Sequence, residues 1–270
     1  DVSASSTSYI GTIAGHTNNG TVTISNAYSS DDSGITAKIG YGNATAGNSV
    51  VILEGTKLNG SNAFGYMNLD FFVKDRNEDG IWFAMANDNP ILTVFADKSN
   101  PLDLSTAQGT RTDWFDAENP EDSYILYSPA DFRGFQILAM DNNFYGIEIK
   151  LGNDIDLNPG WEAGATAPTN VWTPIGRDAN DKDKIIPFRG TFNGQGHTIK
   201  GVYVNSTWER IGLFATSAAD AVIKDFTLEN SYICNTSSSA SAIGSIVGRL
   251  GGKLEAVKSS AQVVVSGSQY

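Results

Sequence analysis

The chain has 270 residues, 40% of them hydrophobic, with a formal net charge of −12. That length suits one large β domain or two modest ones. The acidic balance argues against nucleic acid and anionic membrane as partners, which reward Lys/Arg patches, and favours divalent cations. No apolar run approaches the roughly 18 residues of a membrane span, so no membrane insertion is expected. The single cysteine, Cys234, leaves no intramolecular disulfide and reads as a small buried apolar residue. The chain opens on Asp1 rather than Met, which fits a processed or excised segment and an extracellular or cell-surface location.

Residues 1–58 read as coils. Tyr9-Ile-Gly-Thr-Ile-Ala-Gly15 and Gly20-Thr-Val-Thr-Ile-Ser-Asn-Ala-Tyr28 alternate like strands with one buried face. Ser30-Asp-Asp-Ser-Gly34 and Asn43-Ala-Thr-Ala-Gly-Asn48 are turn clusters before further apolar runs at 35–39 and 49–53. Residues 59–96 are aromatic-rich and read as a closing segment over an exposed coil edge, with 91–95 as its last strand. Within it, Asp75-Arg-Asn-Glu-Asp-Gly80 matches the first half of an EF-hand-type calcium loop. Asp75, Asn77 and Asp79 set oxygens at alternate positions before a turn glycine, which is the donor pattern for a hard cation. The twelfth position is Ala86, where a bidentate Glu belongs, and Asp88 stands close enough to replace it. Ca2+ is therefore the one cofactor suggested, against the alternative of an acidic surface turn. Residues 97–127, polar and with Pro101 and Pro120, read as a linker or surface loop.

Ser128-Pro-Ala-Asp131 is a helix start: Ser128 as N-cap, Pro129 at N1, and Asp131 closing a capping box. Phe132, Phe135 and Leu138 share one face, so 129–140 is predicted as the one clear helix, a cap on the first coil. Short apolar runs follow at 147–151, 211–214, 221–228, 242–248, 253–257 and 262–265. Between them, the core of 171–204, residues 188–204, holds three β-runs punctuated by Gly190, Gly194, Gly196 and Gly201, where sharp turns, often with positive φ, are expected. Runs this short read as successive sides of a coil. The expected fold class is all-β, a β-solenoid with one short capping helix near 129–140, with a sandwich as the alternative.

Four segments in order carry a resemblance: Asn153-Asp-Ile-Asp-Leu157, Trp172-Thr-Pro-Ile-Gly176, Phe188-Arg-Gly-Thr-Phe-Asn-Gly-Gln-Gly-His-Thr-Ile199 and Gly212-Leu-Phe214. They resemble the lead-in of bacterial secreted surface adhesins with GLUG-motif repeats. Ile243-Gly-Ser-Ile-Val-Gly248 and Ile10-Gly-Thr-Ile-Ala-Gly15 resemble the repeat itself, with the name-giving Gly-Leu-Xaa-Gly varied in both. The resemblance covers most of 128–270 and, weakly, 1–95. It implies a right-handed parallel β-helix and brings no catalytic residues. In such arrays cap and lead-in come first, then repeats, then the closing segment. Here repeats and closing segment (1–96) precede cap, lead-in and coils (128–270), and joining Tyr270 to Asp1 gives an uninterrupted series. Three arrangements follow: one period of a tandem fibre, head-to-tail assembly of subunits, or a closed permuted monomer. The first two make the coil ends the working parts, Tyr9, Ile10 and Ile13 at one end and Val263, Val264 and Val265 at the other.

Carboxylates on a sheet face keep a glycan-binding or polysaccharide-cleaving β-helix as the alternative. The candidates are Asp154 with Asp156, then Asp178, Asp181 and Asp183, then Asp220 with Asp225. Against this, Asp156 reads as satisfying turn backbone, 178–184 alternates in sign like a solvated loop, and His197 and His16 sit at turns. No nucleophile–base arrangement, phosphate loop or zinc spacing stands out. Sequons at Asn19, Asn43, Asn59, Asn205 and Asn235 mark polar turns. The expectation is a non-enzymatic structural or adhesive module whose partners are its own copies or neighbouring repeats, with a host or surface glycan as a second candidate.

Overall fold

The computed structural model describes residues 14–16, 23–24, 28–30, 39–41, 45–46, 51–53, 60–67, 69, 71, 78–85, 88–99, 101–178, 181, 184–238 and 242–266. The chain divides into two compact units, Asp1–Ala107 and Gln108–Tyr270. The described residues are mostly strand with few helices, an all-β architecture.

In the first unit six short strands pair in parallel. β1 (Ala14–His16) pairs with β4 (Ile39–Tyr41), β2 (Thr23–Ile24) with β5 (Thr45–Ala46), and β3 (Tyr28–Ser30) with β6 (Val51–Leu53). Parallel partners cannot be joined by a tight hairpin, so each strand meets its mate only after an intervening stretch of chain.

The segment 59–96 departs from its expectation in two places. Gly60–Tyr66 is a helix, α1, so 129–140 is not the only one. Phe64 and Tyr66 alternate as in a strand, yet the neighbours Ala63 and Phe64 are both buried, which a strand with one buried face does not allow. Phe64 packs edge-on against Phe71 at 5.7 Å. β7 (Trp82–Met85) and β8 (Asp88–Leu92) then pair antiparallel, and β8 stops at Leu92. The expected strand 91–95 ends there because Thr93–Phe95 turns as a 3-10 helix, with the Thr93 hydroxyl donating to the Gly80 carbonyl at 2.7 Å.

The second unit is built on parallel ladders. β9 (Ser123–Leu126), β10 (Glu148–Leu151), β12 (Thr191–Asn193), β17 (Val222–Glu229) and β21 (Lys253–Ser259) lie side by side in that order. β11 (Ile155–Asp156) and β13 (Thr198–Lys200) join the second half of β17. β14 (Tyr203–Ser206), β18 (Tyr232–Asn235) and β22 (Gln262–Val265) form another ladder. β15 (Arg210–Ile211) pairs with β19 (Ala242–Ile243), and β16 (Phe214–Thr216) with β20 (Val247–Arg249).

These registers align apolar side chains into rows. One row runs Ile149, Phe192, Ile223, Leu254, and another runs Val204, Ile233, Val263. Row members recur 31 residues apart at 192, 223 and 254. A left-handed corner residue repeats from strand to strand as well: Gln195, Asp225 and Ala256 have φ of 52°, 58° and 51°. The left-handed corner turns Ile223 and Phe226 to the same side, although three positions separate them and strict alternation would oppose them.

α2 (Pro129–Leu138) matches its predicted start and ends two residues early. The Ser128 hydroxyl accepts from the Asp131 N–H at 3.2 Å, and the Asp131 carboxylate accepts from the Ser128 hydroxyl and from the Tyr127 N–H, one residue ahead of the usual capping-box donor. Phe132 stacks on Trp172 at 5.1 Å, and Phe135 stacks on Phe192 at 6.0 Å. Both phenylalanines are fully buried, each contributing about 1.5–3 kcal/mol. The helix thus covers the first layers of the rows.

The stretch expected to be linker, 97–127, is only partly so. Residues from Gln108 onward belong to the second unit, and 123–126 is β9. Trp114 and Phe115 each pack on Tyr124 at 5.4 Å, and Phe115 on Phe144 at 5.0 Å. Two aromatic anchors outweigh the polar composition around them. The segment crosses α2 at Gly134, where an added Cβ would fall 1.5 Å from the Arg111 carbonyl oxygen.

Candidate functional site

The last layer of the second unit differs from the layers beneath it. β21 pairs only with β17 and β22 only with β18 among the described residues, so each leaves one row of backbone N–H and C=O groups unpaired on its far edge. The apolar rows end here uncovered. Ile223 and Ile233 are fully buried, whereas their successors Leu254 and Val263 are 41% and 46% exposed. Leu250 and Val265 are exposed too.

Local bonds hold this edge in register. The Gln262 N–H donates to the Ser231 carbonyl at 2.8 Å, the Ser266 N–H to Asn235 at 3.0 Å, and the Lys253 N–H to Ala221 at 2.9 Å. The edge is therefore an ordered β template with apolar residues aligned to its rows. Chemically it can accept a further strand and bury Leu254 and Val263.

Of the expected end residues, Val263, Val264 and Val265 lie in β22 on this edge, while Tyr9, Ile10 and Ile13 lie outside the described residues. Sequence reasoning missed Leu250 and Leu254. Leu254 could have been found by stepping 31 residues on from Phe192 and Ile223.

The calcium expectation falls mostly outside the described residues, since Asp75 and Asn77 do so. Asp79 is exposed in a turn and Asp88 opens β8. Among the described residues no three His, Cys, Asp or Glu side chains gather as a metal cluster.

Most of the carboxylates raised as catalytic candidates make local contacts. Asp154 accepts from the Thr198 N–H at 2.9 Å and bonds the His197 ring at 3.1 Å, and these contacts, the backbone bond first, hold its carboxyl below the ordinary range. Asp156 accepts from the Asn158 N–H at 3.1 Å, fixing the turn after β11. Asp178 pairs with Lys184 at 3.3 Å, and Lys184 reaches Asp141 at 2.6 Å. Asp181 is exposed and Asp183 lies outside the described residues. Asp220 pairs with Arg189, and Asp225 is a corner residue. His197 stands at a turn, His16 belongs to β1, and Cys234 is buried in β18.

No family model matches the chain, and no solved structure matches it significantly. A protein of Evansella cellulosilytica, described as a Gly-rich membrane protein, is 29% identical over 113 residues. That match covers 42% of this chain and 12% of the relative's length. In this chain, among the described residues, no helix is long and apolar enough to cross a membrane.

Proposed function

We propose that this chain is an extracellular, non-enzymatic structural or adhesive module: a right-handed parallel β-helix of the GLUG-repeat kind that joins end to end with further coils. Those coils come from another copy or from a neighbouring repeat. The observation that carries this reading is the uncovered terminal layer, where Leu254 and Val263 continue fully buried rows yet stay half-exposed. Supporting it, partners in the ladders are parallel, and from β12 onward they recur 29 to 33 residues apart, as successive circuits of one coil would. Edge-strand addition supplies backbone hydrogen bonds, and the aligned rows supply apolar burial.

The test is self-association of the purified chain, followed by light scattering and negative-stain imaging over rising concentration. Wild type is expected to form end-to-end oligomers or filaments. L254K and V263K place a charge on the uncovered rows and are expected to stay monomeric with an unchanged circular dichroism spectrum. A wild type that remains monomeric to millimolar concentration overturns the reading, as do lysine variants that assemble like wild type. The calcium loop has its own check: if Asp75, Asn77 and Asp79 hold Ca2+, chelator lowers the melting temperature, and an unchanged value removes the site.

A further inference from the structure

The second unit carries a depression of about 500 Å3 on its flank, over the outer face of β10, β12 and β17. It is lined by Tyr145, Glu148, Arg189, Thr191, Asp220 and Lys224, among others. We propose that it binds an acidic pyranose, a uronic-acid unit of a polysaccharide. None of its lining residues lies in β21 or β22, and the proposal does not rest on how the ends assemble.

Tyr145 is 64% exposed, and its presentation is built. Phe144 and Gly146 on either side have φ of 56° and 77°, Phe144 is buried as an anchor, and the Tyr145 N–H donates to Asn143 Oδ1 at 3.0 Å. The Arg189 guanidinium lies 4.5 Å from the Tyr145 ring centroid. Arg189 is itself fixed by Asp220, through Nε at 3.1 Å and a second nitrogen at 2.6 Å. Ring, guanidinium and carboxylate form one braced rim. On the floor, Glu148 accepts from Asn193 at 2.9 Å and lies 3.2 Å from Lys150. Lys224 has no carboxylate within 4 Å among the described residues, although its charge helps hold the Glu148 carboxyl down and Glu255 stands opposite it in register.

These features select the ligand by elimination. An apolar molecule wants an enclosed greasy pocket, and this site is open and mostly polar. A phosphate would pair with Lys224 but brings no apolar face for the Tyr145 ring. A neutral sugar brings hydroxyl donors but no anion to contact the Lys224 ammonium. A uronic acid supplies all three: an apolar C–H face for Tyr145, hydroxyls for the carboxylates, and a carboxylate for Lys224.

Isothermal titration of the full chain with trigalacturonate tests this, with maltotriose and inorganic phosphate as controls. Trigalacturonate is expected to bind with Kd on the order of 1 mM, as a single shallow sugar site does. Y145A is expected to weaken it about tenfold, the size of one lost stacking contact. K224Q is expected to reduce trigalacturonate to the level of maltotriose. Tyr145 is exposed and Lys224 half-buried, and a melting curve for each variant checks that the fold is kept. The proposal is overturned by absence of binding to wild type, by affinities unchanged in both variants, by maltotriose binding as tightly as trigalacturonate, or by phosphate doing so.

Discussion

The two ends of the second unit are built from the same rows and finished differently. At the first, α2 sets Phe132 against Trp172 and Phe135 against Phe192, and every one of those rings is buried. At the other, Leu254 and Val263 stand on the same rows with nothing described above them. A helix closes an end because its backbone bonds are internal and its apolar stripe covers the row ends. A strand left at the edge does the opposite and offers a template. The contrast lies in the apolar rows, covered at one end and uncovered at the other, because β9 and β21 each pair on one side only among the described residues.

The largest expected effect belongs to the finished end. F135A should cost about 3–5 kcal/mol, because the ring meets Phe188, Phe192 and Phe214 and leaves a cavity. L254A at the open end should cost about 1 kcal/mol or less at low protein concentration, since much of that side chain is already in water. Urea melts of both variants check the pair. Equal losses would mean that the terminal layer is covered after all.

Acid should act between these extremes, on bonds that tie one layer to the next. The Asn193 amide, the largest cause, holds the Glu148 carboxyl below its ordinary value, and the Thr198 N–H does the same for Asp154. A folded pKa below the unfolded one gives stability that is present above the unfolded value, near 4, and lost as pH falls through the folded value. The melting temperature is thus expected to be flat above about pH 5 and to fall below about pH 4. D154N should flatten that acid slope.

The smallest effect lies in the corners. Ala256 takes at φ 51° the left-handed conformation that Gln195 and Asp225 take in the layers before it. Glycine relieves that strain, so A256G should raise stability by about 1 kcal/mol or less. A destabilised variant would show that the corner of the open layer is not held as the inner corners are.

The helix was legible in the sequence because its signals are local: a Ser cap, a Pro at N1, and phenylalanines on one face within ten residues. The strands of the second unit were legible for the same reason. Gly190, Gly194, Gly196 and Gly201 were read as turns of one kind, yet of these four only Gly196 and Gly201 have positive φ. Gly194 is needed instead for closeness, since a Cβ there would meet the Phe226 Cβ at 2.3 Å. That neighbour is more than thirty residues away, and no local pattern names it. The aromatic anchors Trp114 and Phe115 were hidden by the polar residues around them, and α1 by an alternation that imitates a strand.

The sequence by itself determined where the chain turns, where its helix cap begins, and which residues seek burial, because propensity, capping and alternation act over a few residues. The tertiary structure alone decided which layer follows which, because register is settled by partners about thirty positions apart. The exposure of Leu254 and Val263, and the meeting of Tyr145, Arg189, Asp220 and Lys224 around one depression, follow from that register. Both candidate surfaces are products of stacking, and stacking is a long-range decision.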